Sequence, residues 1–175
     1  MELWDLYDID RRKTGQTHVR GEWIPEGRYH MVVHVVIFNS RGEMLIQQRQ
    51  PFKEGWPNMW DVTVGGSAVQ GDDSRTAAQR EVMEEIGLAI DLTGETPRLT
   101  LPFSCGFDDI YTLIMDVDLD TLTLQESEVQ AVKWATEAEI QQMIADGRFI
   151  PYHTALISLL FALRHKRGTI ARENG

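Results

Sequence analysis

The chain has 175 residues and a formal net charge of −10 at pH 7. That charge excludes polymeric nucleic acid and an anionic membrane as the main partner, since both reward excess Lys and Arg. The length fits a single domain that buries its own core, and the lone cysteine, Cys105, excludes an intrachain disulfide and a thiolate zinc centre.

Taken in order, residues 1–28 read as a strand near 3–7 followed by a long arm with Gly15, Gly21 and Gly27. The opening MELWDLYDIDRRK lacks the basic-then-apolar pattern of a secretory leader, so a reducing cytoplasm is the expected location. HMVVHVVIF (30–38) is β-branched and almost wholly apolar, the pattern of a strand buried on both faces. NSRG turns the chain into a second strand, EMLIQQR, and PFKEGWPNM is a loop. WDVTVGG is a short strand ending in a glycine pair. Asp72, Asp73 and Ser74 open a helix that Gly87 stops, with Ala78, Val82 and Ile86 as its core-facing stripe. RLTLPFSC and IYTLIMDVD read as strands joined by a GFDD turn, and VQAVKWA as one more strand. Thr136 caps a helix ending at Gly147, and PYHTALISLLFALRHK closes the chain as a core-facing helix. Strands with helices between and after them predict an α/β domain over residues 1–175: arm 1–28, core 29–145, final helix 150–168.

Glu81, Glu84 and Glu85 stand at i, i+3 and i+4, within roughly a 100° arc of one helix face. Like charges so placed repel. They lie beside the apolar stripe, at the edge of the buried region, where a hard cation with oxygen ligands explains their clustering. Mg2+ suits such a set. Arg80 adjoins the cluster and can orient one carboxylate, and a carbonyl at Gly65 or Gly66 can complete a metal shell. A solvated acidic face is the commoner fate of three Glu alone, so the wider spacing decides.

Gly66, five residues, Asp72, seven residues, Arg80-Glu81-Val82, one residue, Glu84-Glu85, one residue and Gly87-Leu88 together span 23 residues. This pattern resembles the Nudix box, with Asp72 where the family usually has Glu. FNSRGEMLIQQR before it is similar to the family's leading hairpin, and EVQAVKWATEAEI after it to the closing strand and helix. The resemblance implies a Nudix fold, an α/β/α sandwich around a mixed sheet, and metal-dependent hydrolysis of a phosphoric anhydride bond in a nucleoside diphosphate derivative or similar small molecule. It implies Mg2+, with Mn2+ able to substitute, held by Glu81, Glu84, Glu85 and Gly65, with Arg80 in the catalytic group. It also implies a further acid outside the box, assigned to Asp109 or Glu128. Arg49 and Lys53 are candidate phosphate contacts. Dimerisation is common in the family, which leaves a homodimer open, with the N-terminal arm as the segment that would reach a partner.

The stretch from Arg28 to Gly66 also resembles isopentenyl-diphosphate isomerase, which shares the fold. That enzyme needs a cysteine where this chain has Gly65 and a metal-binding histidine where it has Ser67; only His30 matches. A ligand sensor on the same fold is a third reading, but such proteins tend to lose the box carboxylates that this chain keeps. His30 and His34 are read as core or pocket residues, Cys105 as a small buried residue, and Trp56 and Trp60 as core aromatics.

Overall fold

Nine strands and three α-helices form in a computed structural model, which describes residues 2–165, 168 and 170. The chain divides into two compact units, the first made of residues 1–35 and 64–111 and the second of 36–63 and 112–175.

In the first unit the N-terminal arm is a hairpin. β1 (Leu3–Tyr7) pairs antiparallel with β2 (Lys13–Val19), a strand the sequence analysis did not separate from the arm. Its polar, largely exposed side chains and Gly15 give no alternating apolar signal. The hairpin is fastened to its own unit: Gln70 N donates to the Leu3 carbonyl at 2.7 Å, and Tyr7 and Tyr29 form an antiparallel bridge. β3 (His30–Phe38) pairs antiparallel with β6 (Val64–Ser67), matching Val33 with Gly66 and His34 with Gly65. β7 (Leu99–Phe103) and β8 (Gly106–Ile114) form an antiparallel pair turning at residues 104–105. The expected turn at GFDD is therefore strand. The turn lies two residues earlier, and Asp108 and Asp109 point to opposite faces of β8.

Helix α1 (Ser74–Ile86) is defined by its ends. Asp73 accepts from Thr76 N, and the Thr76 side chain accepts from Asp73 N, a capping box worth on the order of 1 kcal/mol. Gly87 closes the helix at φ 68°, donating to the Met83 carbonyl. Ala77, Ala78, Val82 and Ile86 are fully buried.

In the second unit the end of β3 turns back as β4 (Met44–Arg49), matching Phe38 with Met44. β4 also pairs antiparallel with β5 (Trp60–Asp61) and β9 (Val129–Ala135). The WDVTVGG segment is thus two strands, one pairing with β4 and the other with β3. β3 and β8 run side by side in the same direction, with His30 N donating to the Cys105 carbonyl near their starts and Met115 N to that of Phe38 near their ends. The sheet is accordingly mixed, and the class is α/β.

α2 (Glu137–Ala145) begins at the expected cap, Thr136, whose hydroxyl accepts from Glu139 N. α3 (Thr154–Leu163) is shorter than the sequence analysis expected. The far end of that expected helix lies partly outside the described residues. α2 packs on α3, with Ile140, Met143, Ile157 and Leu160 buried and Phe38 meeting Phe161 edge-on at 5.0 Å.

Candidate active site

The acidic cluster lies in the first unit, and glycine creates the space for it. Cross-strand partners share a face of the sheet, so Val33 and Gly66 look one way while His34 and Gly65 look the other. α1 packs on β6 from the Gly66 side. A Cβ placed on Gly66 would fall 2.2 Å from the Glu81 carboxyl carbon and 2.4 and 2.5 Å from its oxygens. Glu81 therefore occupies volume that any other residue at 66 would fill. Burial raises its pKa, and the neighbouring Arg80 works against that rise.

Arg80 joins the cluster together. Nε and Nη2 donate to Asp72 Oδ2 at 3.1 and 3.0 Å, Nη2 also to the Ser67 carbonyl at 3.0 Å, and Nη1 to Glu81 and Glu84 at 3.0 Å each. Burial disfavours its charge, but Glu81, Asp72 and Glu84 more than offset this and hold it protonated. Asp72, the departure from the usual Glu, reaches Arg80 with the shorter side chain. Its own backbone is fastened by the N-terminal hairpin, because Lys13 Nζ donates to the Asp72 carbonyl at 2.6 Å and to Asp5 at 2.7 Å. Glu84 is half exposed, whereas Glu85 is buried.

The opposite face of β3 and β6 carries a second pair. His34 Nδ1 lies 2.7 Å from Asp108 Oδ1, and a Cβ on Gly65 would fall 2.6 Å from the His34 ring. The space a cysteine would need at position 65 is thus taken by His34. The further acid expected at Asp109 or Glu128 has a definite setting in each case. Asp109 is almost fully buried and accepts from Arg11 at 2.6 Å, Ser74 at 2.7 Å and Thr100 at 2.6 Å. Glu128, in the second unit, accepts from Lys53 at 2.5 Å. Arg49, also there, donates to the Gly55 carbonyl and faces Asp61 at 3.8 Å. Sequence reasoning did not see Arg11, which is 98 residues from Asp109 and sits at a positive φ of 62°. No local pattern signals that contact.

The donor types carried by α1 suit a hard divalent cation: carboxylate oxygens, a glycine strand allowing close approach, and no thiolate or imidazole among them. Among the described residues no three His, Cys, Asp or Glu groups converge on one point. The Arg80 guanidinium instead stands between the carboxylates of Asp72, Glu81 and Glu84.

A helix of this kind, laid on a mixed sheet with its carboxylates over a glycine strand, is the arrangement of a Nudix domain, and the NUDIX domain family model matches residues 28–154. The chain belongs to the Nudix family. An uncharacterized Nudix hydrolase of Listeria monocytogenes is 46% identical over 165 residues, covering 94% of this chain and 96% of that protein. An isopentenyl-diphosphate Delta-isomerase of Pectobacterium atrosepticum is 29% identical, covering 90% of this chain and 88% of the isomerase. The crystal structure of DR0079 from Deinococcus radiodurans superposes with a TM-score of 0.72 at 24% identity, over 90% of this chain and 98% of that one.

Proposed function

We propose that the protein is a cytoplasmic pyrophosphohydrolase that uses Mg2+, or Mn2+ in its place, to cut a diphosphate linkage in a nucleoside diphosphate derivative or similar small molecule. The observation that carries this reading is the seating of Glu81 over Gly66 beside Glu84 and Glu85, held by Arg80. Oxygen ligands set close together on a rigid helix suit a cation shared with substrate phosphates. Glu81, Glu84, Glu85 and the Gly65 carbonyl would hold it. When bound, such a cation neutralises charge on the diphosphate and makes phosphorus more open to attack.

The chain's own residues supply the rest. Arg80 fixes the directions of the Glu81 and Glu84 carboxylates and keeps them apart. Asp72 and the Ser67 carbonyl hold Arg80 in turn. Burial raises the pKa of Glu81, and Arg80 works against that rise and favours the charged form that a metal ligand needs, so the attacking water gives up its proton to a base outside the box. The oxygen of that water joins one phosphorus, the bridging P–O bond breaks, and the bridging oxygen leaves with the other phosphate. Phosphorus NMR of candidate diphosphates incubated with the protein, with Mg2+ and with chelator, tests the reading. Chelator-sensitive loss of the diphosphate signal supports it; an unchanged signal across nucleoside diphosphates, nucleotide sugars, dinucleotides and isoprenoid diphosphates refutes it.

The isomerase reading is weaker because His34 fills the space at position 65 and Ser67 stands where the isomerases have a histidine.

A further inference from the structure

The N-terminal hairpin lies before residue 28, where the match to the family model begins, yet it takes up the polar groups of the loop that leads into α1. That loop turns over Val69–Asp72. Asp72 N donates to the Val69 carbonyl at 3.0 Å, and Gly71 sits at φ 95°, the left-handed conformation that glycine supplies at the third position of a tight turn.

Three contacts fasten the turn to the hairpin. Gln70 N donates to the Leu3 carbonyl at 2.7 Å, Gly71 N to Asp5 Oδ2 at 2.9 Å, and Lys13 Nζ to the Asp72 carbonyl at 2.6 Å. Lys13 Nζ also donates to Asp5 Oδ2 at 2.7 Å, so one carboxylate oxygen and one ammonium grip consecutive residues of the turn. Burial works to raise the Asp5 pKa, but the bonds from Lys13 and Gly71 outweigh it and hold the carboxyl below its usual range. The grip is therefore made between charged groups.

What the grip sets is the place of Asp72. Its side chain reaches Arg80 Nε and Nη2, at 3.1 and 3.0 Å, from a backbone that stands one methylene closer than a glutamate would need. An aspartate has no slack with which to follow a loop that drifts. Arg80 in turn directs Glu81 and Glu84. We infer that Lys13 and Asp5 are positioning residues of the candidate active site: by fixing the 69–72 turn they let the short Asp72 side chain hold Arg80, and so keep Glu81 and Glu84 directed for a cation. The consequence for cation binding rests on the hydrolase reading; the consequence for Arg80 does not. If the hairpin served stability alone, loss of the partly exposed Lys13 would leave Arg80 where it is.

Two measurements on the wild type, Lys13→Met and the Lys13→Met/Asp72→Glu double variant test it. In the first, nitrogen-15 NMR of the metal-free protein follows the Arg80 Nε–H signal, assigned with Arg80→Lys. A sharp signal is expected in the wild type, its loss to solvent exchange in Lys13→Met, and its return in the double variant, whose longer side chain regains Arg80 without the grip. The amide signals of β1 and β2 show whether the hairpin stays paired; if it does not, Asp5→Asn, which shortens no side chain, carries the same expectation for Arg80. In the second, Mn2+ titration is followed by electron paramagnetic resonance. Removing a lysine beside a carboxylate cluster would by charge alone strengthen cation binding. Lost positioning is expected to weaken it about tenfold instead, as loss of an outer partner does at metal sites, with recovery in the double variant. An Arg80 signal unchanged in Lys13→Met, or absent from the wild type, overturns the inference, as does Mn2+ binding that is unchanged or tighter in Lys13→Met. Absence of Mn2+ binding by the wild type would count against the hydrolase reading, and the Arg80 signal would then decide the inference alone.

Discussion

Replacing Gly66 by Ala separates the cluster's role from the fold's integrity. The added methyl would lie 2.2 Å from the Glu81 carboxyl carbon, closer than van der Waals contact allows. The clashing atoms are the far end of a flexible side chain, so Glu81 turns away while the backbone stays. A strained rotamer costs about 0.5–1.5 kcal/mol, and loss of the charge-assisted bond from Arg80 adds about as much again. The sum is about 1–3 kcal/mol, which lowers Tm by roughly 2–12 °C for a chain of this size. The effect on turnover should be far larger in proportion. Losing a group that stabilises developing charge costs about 3–4 kcal/mol, or two to three orders of magnitude in rate. Thermal melting followed by circular dichroism, alongside turnover under saturating Mg2+, measures both. A Gly66→Ala protein with near wild-type turnover would refute the requirement that Glu81 sit over residue 66.

Glu84→Gln and Glu85→Gln should each lower turnover by at least about two orders of magnitude with the fold intact, since each loses a metal ligand while like-charge repulsion is relieved; a near wild-type rate at saturating Mg2+ removes that residue from the site. Asp109→Asn should cost about 2–3 kcal/mol in urea unfolding, because Arg11 loses its charged partner while keeping its bond to Thr100 and its access to water. Lost turnover at unchanged stability would instead identify Asp109 as the further acid. Isopentenyl diphosphate should not be isomerised, and the appearance of the dimethylallyl isomer in proton NMR would overturn the argument from Gly65 and Ser67.

The parts of the fold legible in sequence were those with strong local signals. α1 carried its cap at Asp73, its stop at Gly87 and its buried stripe in one stretch, and Arg80, Glu81, Glu84 and Glu85 of the box lie inside it. The strand over 30–38 was equally plain, because its apolar run needs burial wherever it lies. β2 was hidden by its exposed, polar side chains, since it is held by pairing with β1 and not by its own apolar pattern. Asp108 and Asp109 read as turn residues because Gly and Asp disfavour strands. Pairing and tertiary contacts override that preference: Thr100 across the hairpin and Arg11 and Ser74 from farther along the chain on Asp109, and His34 on Asp108. The bridging by Arg80 was foreseen for one Glu. Its simultaneous hold on Asp72 and the Ser67 carbonyl depends on how the 67–72 loop meets the helix, which spacing alone does not encode.

Hydrolysis in water enriched in oxygen-18 tests the central claim most directly. With a substrate found to be cleaved, the products are collected with Mg2+, with EDTA, and from the Glu85→Gln variant. Water attack at phosphorus predicts one heavy oxygen on a phosphate product, none on the organic moiety, and no cleavage in EDTA or beyond a trace in the variant. Label on a carbon-bound oxygen, or cleavage that persists undiminished in EDTA, would contradict the account.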